Sequence, residues 1–246
     1  MVPGVHFAKY TGILDPNIPY RELNGALLWP ARKTHPEIMF AVVYLSRFNN
    51  AYTKVHQDAQ LRILGYLMNV RDRALTFHKP TTGDSLPPMV VVYSDSDFAE
   101  DVMDRKSYSG SVTFVDGNLV AWSAGKQRYV ATSSTEAEYV AVSESCKDGL
   151  HVIHFLNEFL NPVLPSILKM DNQGALFMAK NDVSSKRSKH VDLRYHMVRD
   201  YVRSGYFTLT HVSTVLNRAD IMTKALDRLK HEGHTSALLR DYSNKS

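Results

Sequence analysis

Apolar residues recur along the first third of the chain at helical spacing. Leu23, Ala26 and Leu27 lead to Pro30, and the stretch breaks at His35-Pro36. Ile38, Met39, Val42, Val43, Leu45 and Phe48 follow as a mostly apolar segment. Beyond Asn49-Asn50, Val55, Ala59, Ile63 and Leu67 stand four apart, which predicts one helix face. Residues 19–70 therefore read as helical, with Gly65 a weak point. Ala74–Phe77 reads as a short strand. Residues 79–88, KPTTGDSLPP, are rich in breakers and mark a linker.

The period then changes. Met89–Tyr93 (MVVVY) is a β-branched run, as a buried strand requires. Gly110–Val115 and Leu119–Trp122 flank Asp116-Gly117-Asn118, a hairpin signal because Asp-Gly turns match strand twist. After Ser133-Ser134-Thr135, capping residues followed by acids open a helix that runs to about Leu160, where Pro162 and Pro165 stop it. Ser166–Met170 reads as a strand, and Asn172–Lys180 and Val191–Arg203 as helices. Tyr206–Val212 reads as a strand and Asn217–Leu226 as a closing helix. The order β-β-β-α-β-α-α-β-α predicts an α/β domain, a mixed sheet flanked by helices.

Composition narrows the class. The 246 residues are 44% apolar and 22% charged, which excludes a disordered or fibrous chain. No apolar run approaches the roughly 18–20 residues that span a bilayer, and the N-terminus lacks a secretory pattern. The single cysteine, Cys146, cannot form an internal disulfide. The expected location is intracellular, in a cytoplasmic particle or the nucleus, and not secreted. The net charge is +4. Residues 1–88 hold 10 Lys/Arg against 6 Asp/Glu, and the remainder 19 against 19. The basic excess thus sits in the first third, where it fits a polyanion-binding part or simply a solvated face.

Four acids sit where chemistry can use them. Asp95 follows MVVVY and Asp171 follows SILKM, both at carboxyl ends of buried strands. Asp220 lies near the start of the predicted last helix. Glu138 lies in the first turn or so of the long helix. At 100° per residue, Ala141, Val142, Ser145, Gly149, Val152, Ile153, Leu156, Phe159 and Leu160 fall within about 60° of Glu138. Val140, Ser143, Lys147, His151, His154 and Glu158 lie opposite. Glu138 thus shares the sheet-facing stripe, where a carboxylate is costly unless paired or metal-bound. Taken singly, each acid is equally well a turn cap or a solvated end. Grouped, carboxylates repel unless a cation neutralises them, and all-oxygen ligation suits Mg²⁺ or Mn²⁺. Two such ions would serve phosphodiester cleavage. Asp97 shares a strand face with Asp95, and spacing does not say which is the ligand.

A family resemblance appears at these residues. The strings YSDSDFAEDVMDRKSYSGSVTFVDGNLVAWSAGKQ, VATSSTEAEYVAV, KMDNQGALFMAKN, KRSKHVDLRYHMVRDYVRSG and NRADIMTKAL resemble the ribonuclease H domain of copia-type LTR retrotransposon polyproteins. The likeness covers roughly residues 89–227. Residues 18–78 resemble the thumb or connection end of reverse transcriptase, which precedes that domain. The resemblance implies a ribonuclease H-like fold with a five-stranded mixed sheet, preceded by a small helical module over 1–88 and followed by a tail at 228–246. It implies hydrolysis of the RNA strand of RNA–DNA hybrids, with 3′-hydroxyl and 5′-phosphate ends. By motif it assigns Asp95, Glu138, Asp171 and Asp220 as catalytic metal ligands.

Two departures stand out. Cellular type-1 ribonucleases H carry a histidine in the loop before the last aspartate, and Ser213–Ala219 has none; His211 is the nearest. Residues 1–88 also lack the adjacent Asp-Asp pair of a polymerase palm, so polymerisation by this chain alone is not expected. The chain reads as a polyprotein fragment or a truncated reading frame, with the missing polymerase portion as a possible partner.

Hybrid binding needs phosphate and 2′-hydroxyl contacts. Thr132, Ser133, Ser134, Asn172 and Gln173 flank the acids, with helix capping as the competing role for the serines. Lys186, Arg187, Lys189 and His190 form a basic run before a helix bearing Arg194, and Lys126, Gln127 and Arg128 follow the hairpin. A charge run is equally a solvated face. Arg32, Lys33, Arg47, Lys54, Arg62, Arg71 and Arg73 in the first third are further duplex contacts, or the surface of an orphaned half-domain. Two other functions compete with a nuclease. One is a catalytically silent nucleic-acid-binding remnant. The other is an integrase-like strand transferase, against which the single cysteine and the four-acid blocks argue.

Overall fold

The computed structural model describes residues 4, 6–9, 11–12, 14–79, 87–99, 101, 103–160, 166–180 and 189–241. In chain order the elements are α1 (Tyr20–Lys33), a 3-10 turn at Pro36–Ile38, α2 (Met39–Ser46), α3 (Lys54–Asn69) and β1 (Arg73–Ala74). There follow β2 (Val90–Asp97), β3 (Tyr108–Val115), β4 (Asn118–Lys126), α4 (Ser134–Phe159), β5 (Ser166–Met170), α5 (Gln173–Lys180), α6 (Lys189–Arg203) and β6 (Phe207–His211). Two 3-10 turns, Thr214–Leu216 and Asp220–Met222, lead to α7 (Arg228–Leu238) and β7 (Arg240–Asp241). Among the described residues, no helix is long and apolar enough to cross a membrane.

The chain divides into two compact units, one of residues 1–76 with 224–246 and one of 77–223. This differs from the expected boundaries at 88 and 227. The segment expected as a tail is instead built into the first unit. Asp227 caps α7 by accepting from the Lys230 backbone N–H at 3.1 Å. Arg73 pairs with Glu232 at 2.9 Å, and β7 pairs antiparallel with β1.

In the first unit an aromatic core of Tyr20, Tyr44, Phe48 and Tyr52 joins α1, α2 and the start of α3. The buried face of α3 overlaps the predicted one but is rotated from it: Ile63 is buried, and Ala59 and Leu67 are half-buried. Val55 is exposed, and His56, Gln60 and Ile63 point inward. The polar pair is accepted because it is bonded. Gln60 Nε2 donates to Tyr20 O at 3.1 Å and to Asn24 Oδ1 at 3.3 Å, and His56 closes the cap with Thr53.

The second unit is a five-stranded sheet in the order β4-β3-β2-β5-β6. The β2–β3 and β3–β4 pairs are antiparallel, and β2–β5 and β5–β6 are parallel. This mixed order is the ribonuclease H-like fold. The hairpin turn falls at Asp116-Gly117, both with positive φ (49° and 76°), as an Asp-Gly turn between twisted strands demands. Val90, Val92, Leu168, Met170, Phe207 and Leu209 pack with Tyr139, Val142, Cys146, Leu150 and Ile153 of α4 to form the core.

Two expectations are corrected. The face of α4 opposite Glu138 is not all polar surface in its first half. Val140 and Ser143 are buried, because α6 covers them: Tyr195 stacks on Tyr139 at 3.7 Å between ring centroids, and Arg194 donates to Ser143 Oγ. Asn217–Leu226 is not a helix. Asn217 Oδ1 accepts from the Ala219 N–H, and its Nδ2 donates to Ser94 O. Such side-chain bonds compete with the helical ladder, leaving one short 3-10 turn, Asp220–Met222, in this stretch.

Candidate active site

Register brings the acids together. In the parallel pair β2–β5, Tyr93 stands opposite Lys169. Two residues further along each strand, Asp95 and Asp171 therefore emerge at the same level. Ser133 opens α4 over this end, its hydroxyl accepting from the Glu136 N–H at 3.1 Å, and so sets Glu138 at the start of the helix. Ligand-capable atoms of Asp95, Glu138 and Asp171 all lie within 4.8 Å of one another. Asp95 and Glu138 are buried and Asp171 is half-buried. Asp97, the alternative on the same strand, is not in this group.

Electrostatics mark the cluster as incomplete. Burial, then the charges of Asp95 and Asp171, push the Glu138 carboxyl well above its ordinary range, against hydrogen bonding from the Ser96 side chain and backbone. Its Oε2 is buried with no hydrogen-bond partner. A divalent cation would supply the missing positive charge. Three oxygen donors at this spacing fit Mg²⁺ or Mn²⁺.

Asp220 is buried in the last 3-10 turn but does not join the three-acid group. Its turn nevertheless reaches the cluster, through residues that spacing alone did not select. Thr223 donates its hydroxyl to Asp95 Oδ2, and Asn217 Nδ2 donates to Asp95 Oδ1 at 3.3 Å. Both sit in the NRADIMTKAL block, three residues to either side of Asp220.

The expected substrate contacts divide. Gln127 is a correction. It is buried and donates to Ser109 Oγ and Ala137 O, so it ties α4 to the sheet and does not face a nucleic acid. Arg194 is likewise held inward, 3.7 Å from Glu144, donating to Ser143 and stacked over Tyr129. Lys126 is neutralised by Asp101 and Asp104. Ser133 is a helix cap, and Asn172 caps α5 by accepting from the Ala175 N–H at 2.9 Å. Ser134, Gln173 and Arg128 are exposed. Lys189 and His190 fall in the first turn of α6, with side chains outside the described residues. Lys186 and Arg187 lie outside the described residues altogether.

Known proteins complete the picture. No family model matches the chain. The retrovirus-related Pol polyprotein from transposon TNT 1-94 of Nicotiana tabacum is 34% identical over 220 residues, covering 87% of this chain and 16% of that protein. The Pol polyprotein from transposon RE1 of Arabidopsis thaliana is 34% identical over 241 residues, covering 97% of this chain and 16% of that protein. Secreted RxLR effector protein 161 of Plasmopara viticola is 37% identical over 134 residues, covering 54% of this chain and 91% of that protein. Among solved structures, ribonuclease H1 of Halobacterium salinarum superimposes with a TM-score of 0.42 at 18% identity, over 55% of this chain and 94% of that one. A foamy viral protease-reverse transcriptase in complex with an RNA/DNA hybrid gives 0.49 at 14% identity, over 88% of this chain and 28% of that one. The chain spans about a sixth of the length of the Pol polyproteins it matches. With the five sequence blocks, the mixed sheet and the likeness over most of the chain in agreement, the chain corresponds to the ribonuclease H domain, with its preceding segment, of copia-type retrotransposon Pol polyproteins.

Proposed function

We propose that the second unit is a metal-dependent endonuclease that hydrolyses the RNA strand of RNA–DNA hybrids. The observation that carries this reading is the gathering of Asp95, Glu138 and Asp171 at one end of the ribonuclease H-like sheet, with a buried glutamate set against two other acids. Family membership supplies the substrate class. Asp95, Glu138 and Asp171 would hold Mg²⁺ or Mn²⁺, and Asp220 in the adjoining turn would serve a second ion. When bound, such ions polarise the scissile phosphate and lower the pKa of the attacking water.

The chain's own residues prepare that site. Asp95 accepts hydrogen bonds from Asn217 and Thr223. Glu138 is held by the capped start of α4, in surroundings dry enough to strengthen its interaction with any cation that enters. Ser134 and Gln173, both exposed, would meet sugar hydroxyls, and Lys186, Arg187, Lys189 and His190 would meet phosphates.

The test is cleavage of a labelled hybrid with Mg²⁺, Mn²⁺ or EDTA. Cutting of the RNA strand alone, abolished by EDTA, is expected. Asp95→Asn and Glu138→Gln should each lower kcat at least about 10²–10³-fold, because the ions supply several kcal/mol of charge stabilisation and about 1.4 kcal/mol is tenfold. Hybrid binding should survive in both. Tight, salt-sensitive binding without cutting under either metal would replace this reading with a silent nucleic-acid-binding remnant.

A further inference from the structure

The turn that carries Asp220 does more than place that acid. Asn217, Ala219 and Thr223 are wholly buried, as is Met222. They reach Asp95 from 122 and 128 residues away in sequence, one donor to each carboxylate oxygen. The Thr223 hydroxyl donates to Oδ2 and lies 3.1 Å from the Asp220 carbonyl. Asn217 Nδ2 donates to Oδ1 and to the carbonyl of Ser94, the residue before the acid. Its Oδ1 accepts from the Ala219 N–H, so the amide is fixed at both ends.

The sheet is cut to admit this turn. Gly110 stands opposite Asp95 in the β2–β3 ladder. A Cβ there would lie 2.6 Å from Met222 Cβ, 2.8 Å from Thr223 Cγ2 and 3.2 Å from Ala219 O. The missing side chain at position 110 is therefore the space in which the turn packs against the acid.

We propose that Asn217 and Thr223 are positioning residues that set the carboxylate plane of Asp95 for metal binding. This rests on the nuclease reading's assignment of Asp95 as a ligand. The terminal bond of an aspartate is a broad and shallow torsion, and the two donors narrow its freedom at Asp95. They do so before the ion arrives. The same turn thus fixes Asp95 and delivers Asp220, which couples the two acids through one short segment.

Thr223→Val keeps the shape and removes the hydroxyl, whereas Thr223→Ser keeps the donor. Mn²⁺ affinity, read by calorimetry on the full chain without nucleic acid, tests the role apart from cleavage. Partners that orient ligands are typically worth about 10–100-fold in metal affinity. Thr223→Val should weaken Mn²⁺ binding by about that factor, and Thr223→Ser should restore it to within about threefold. Hybrid cleavage should show a lowered kcat with KM unchanged in Thr223→Val. Should the valine variant fail to fold by circular dichroism, Thr223→Cys, with its weaker donor, takes its place and should bind Mn²⁺ more weakly than Thr223→Ser; a cysteine variant equal to serine overturns the proposal. A folded valine variant with wild-type Mn²⁺ affinity overturns the proposal, as does a wild type that binds no Mn²⁺. Wild type that binds Mn²⁺ but leaves the hybrid uncut overturns the nuclease reading alone, since the affinity comparison still decides the role of Thr223.

Discussion

Each unit buries a glutamate, and the two are handled in opposite ways. In the first, Glu37 is 3% exposed and its Oε1 lies 2.9 Å from His35 Nδ1. His231 on α7 bonds to the Glu37 carbonyl at 3.1 Å. In the second, Glu138 is 7% exposed and its neighbours in the cluster are acids. Both leave Oε2 without a hydrogen-bond partner. The difference lies in the charge around them. A buried acid beside an imidazole completes a local network and serves the fold. One crowded by other acids costs stability until a cation enters, so its arrangement serves a ligand.

The largest effect that could break this comparison is stabilisation by metal. Mn²⁺ at about 100 times its Kd should raise the stability of the wild type by about 2.7 kcal/mol. The gain should vanish in Glu138→Gln and persist in Glu37→Gln, as thermal melts with and without the ion would show. Equal gains in all three would remove the distinction between the two glutamates.

Substitution in the absence of metal sharpens it next. Glu37→Gln should lose about 1–3 kcal/mol by disrupting the contact with His35. Glu138→Gln should instead raise stability above the ordinary glutamate range, because it removes a buried carboxyl whose charged form is disfavoured by burial, Asp95 and Asp171. Amide hydrogen exchange, read separately in the two units, distinguishes these outcomes. Destabilisation by both substitutions would mean that Glu138 serves packing as Glu37 does.

The smallest effect is a pH slope. The folded-state pKa of Glu138 is raised above its unfolded value. Above the unfolded value the native state therefore binds more protons than the unfolded chain. Metal-free stability should fall as pH rises from the ordinary glutamate range toward the raised pKa, by at most about 1.4 kcal/mol per pH unit from this group. Urea titrations of wild type and Glu138→Gln should show that slope only in the wild type. An identical slope in both assigns it to other groups.

Much of this contrast was legible along the chain. MVVVY and SILKM read as strands, the Asp-Gly turn fixed the hairpin, and the stripe on α4 placed Glu138 toward the sheet. Each of these is a local signal. His56 and Gln60 on α3 were not legible as buried, because their burial depends on partners in α1 and the cap. Gln127 and Arg194 looked like nucleic-acid contacts because a charged or amide side chain in a loop or helix reads as exposed. Their partners, Ala137 and Glu144, lie ten and fifty residues away. Helix α7 was missed because its support comes from Arg73 and Glu37 at the other end of the chain.

The sequence by itself determined the five strands of the second unit and most of its helices, and marked four candidate acids, because periodicity, capping and turn chemistry act over a few residues. Only the tertiary structure decided that three of those acids share one site while Asp220 stands in the turn beside them, that Asn217 and Thr223 grip Asp95, and that Gly110 makes room for them. Those outcomes depend on strand register and on close contacts across more than a hundred residues, where a shift of one position would send every side chain to the opposite face of the sheet.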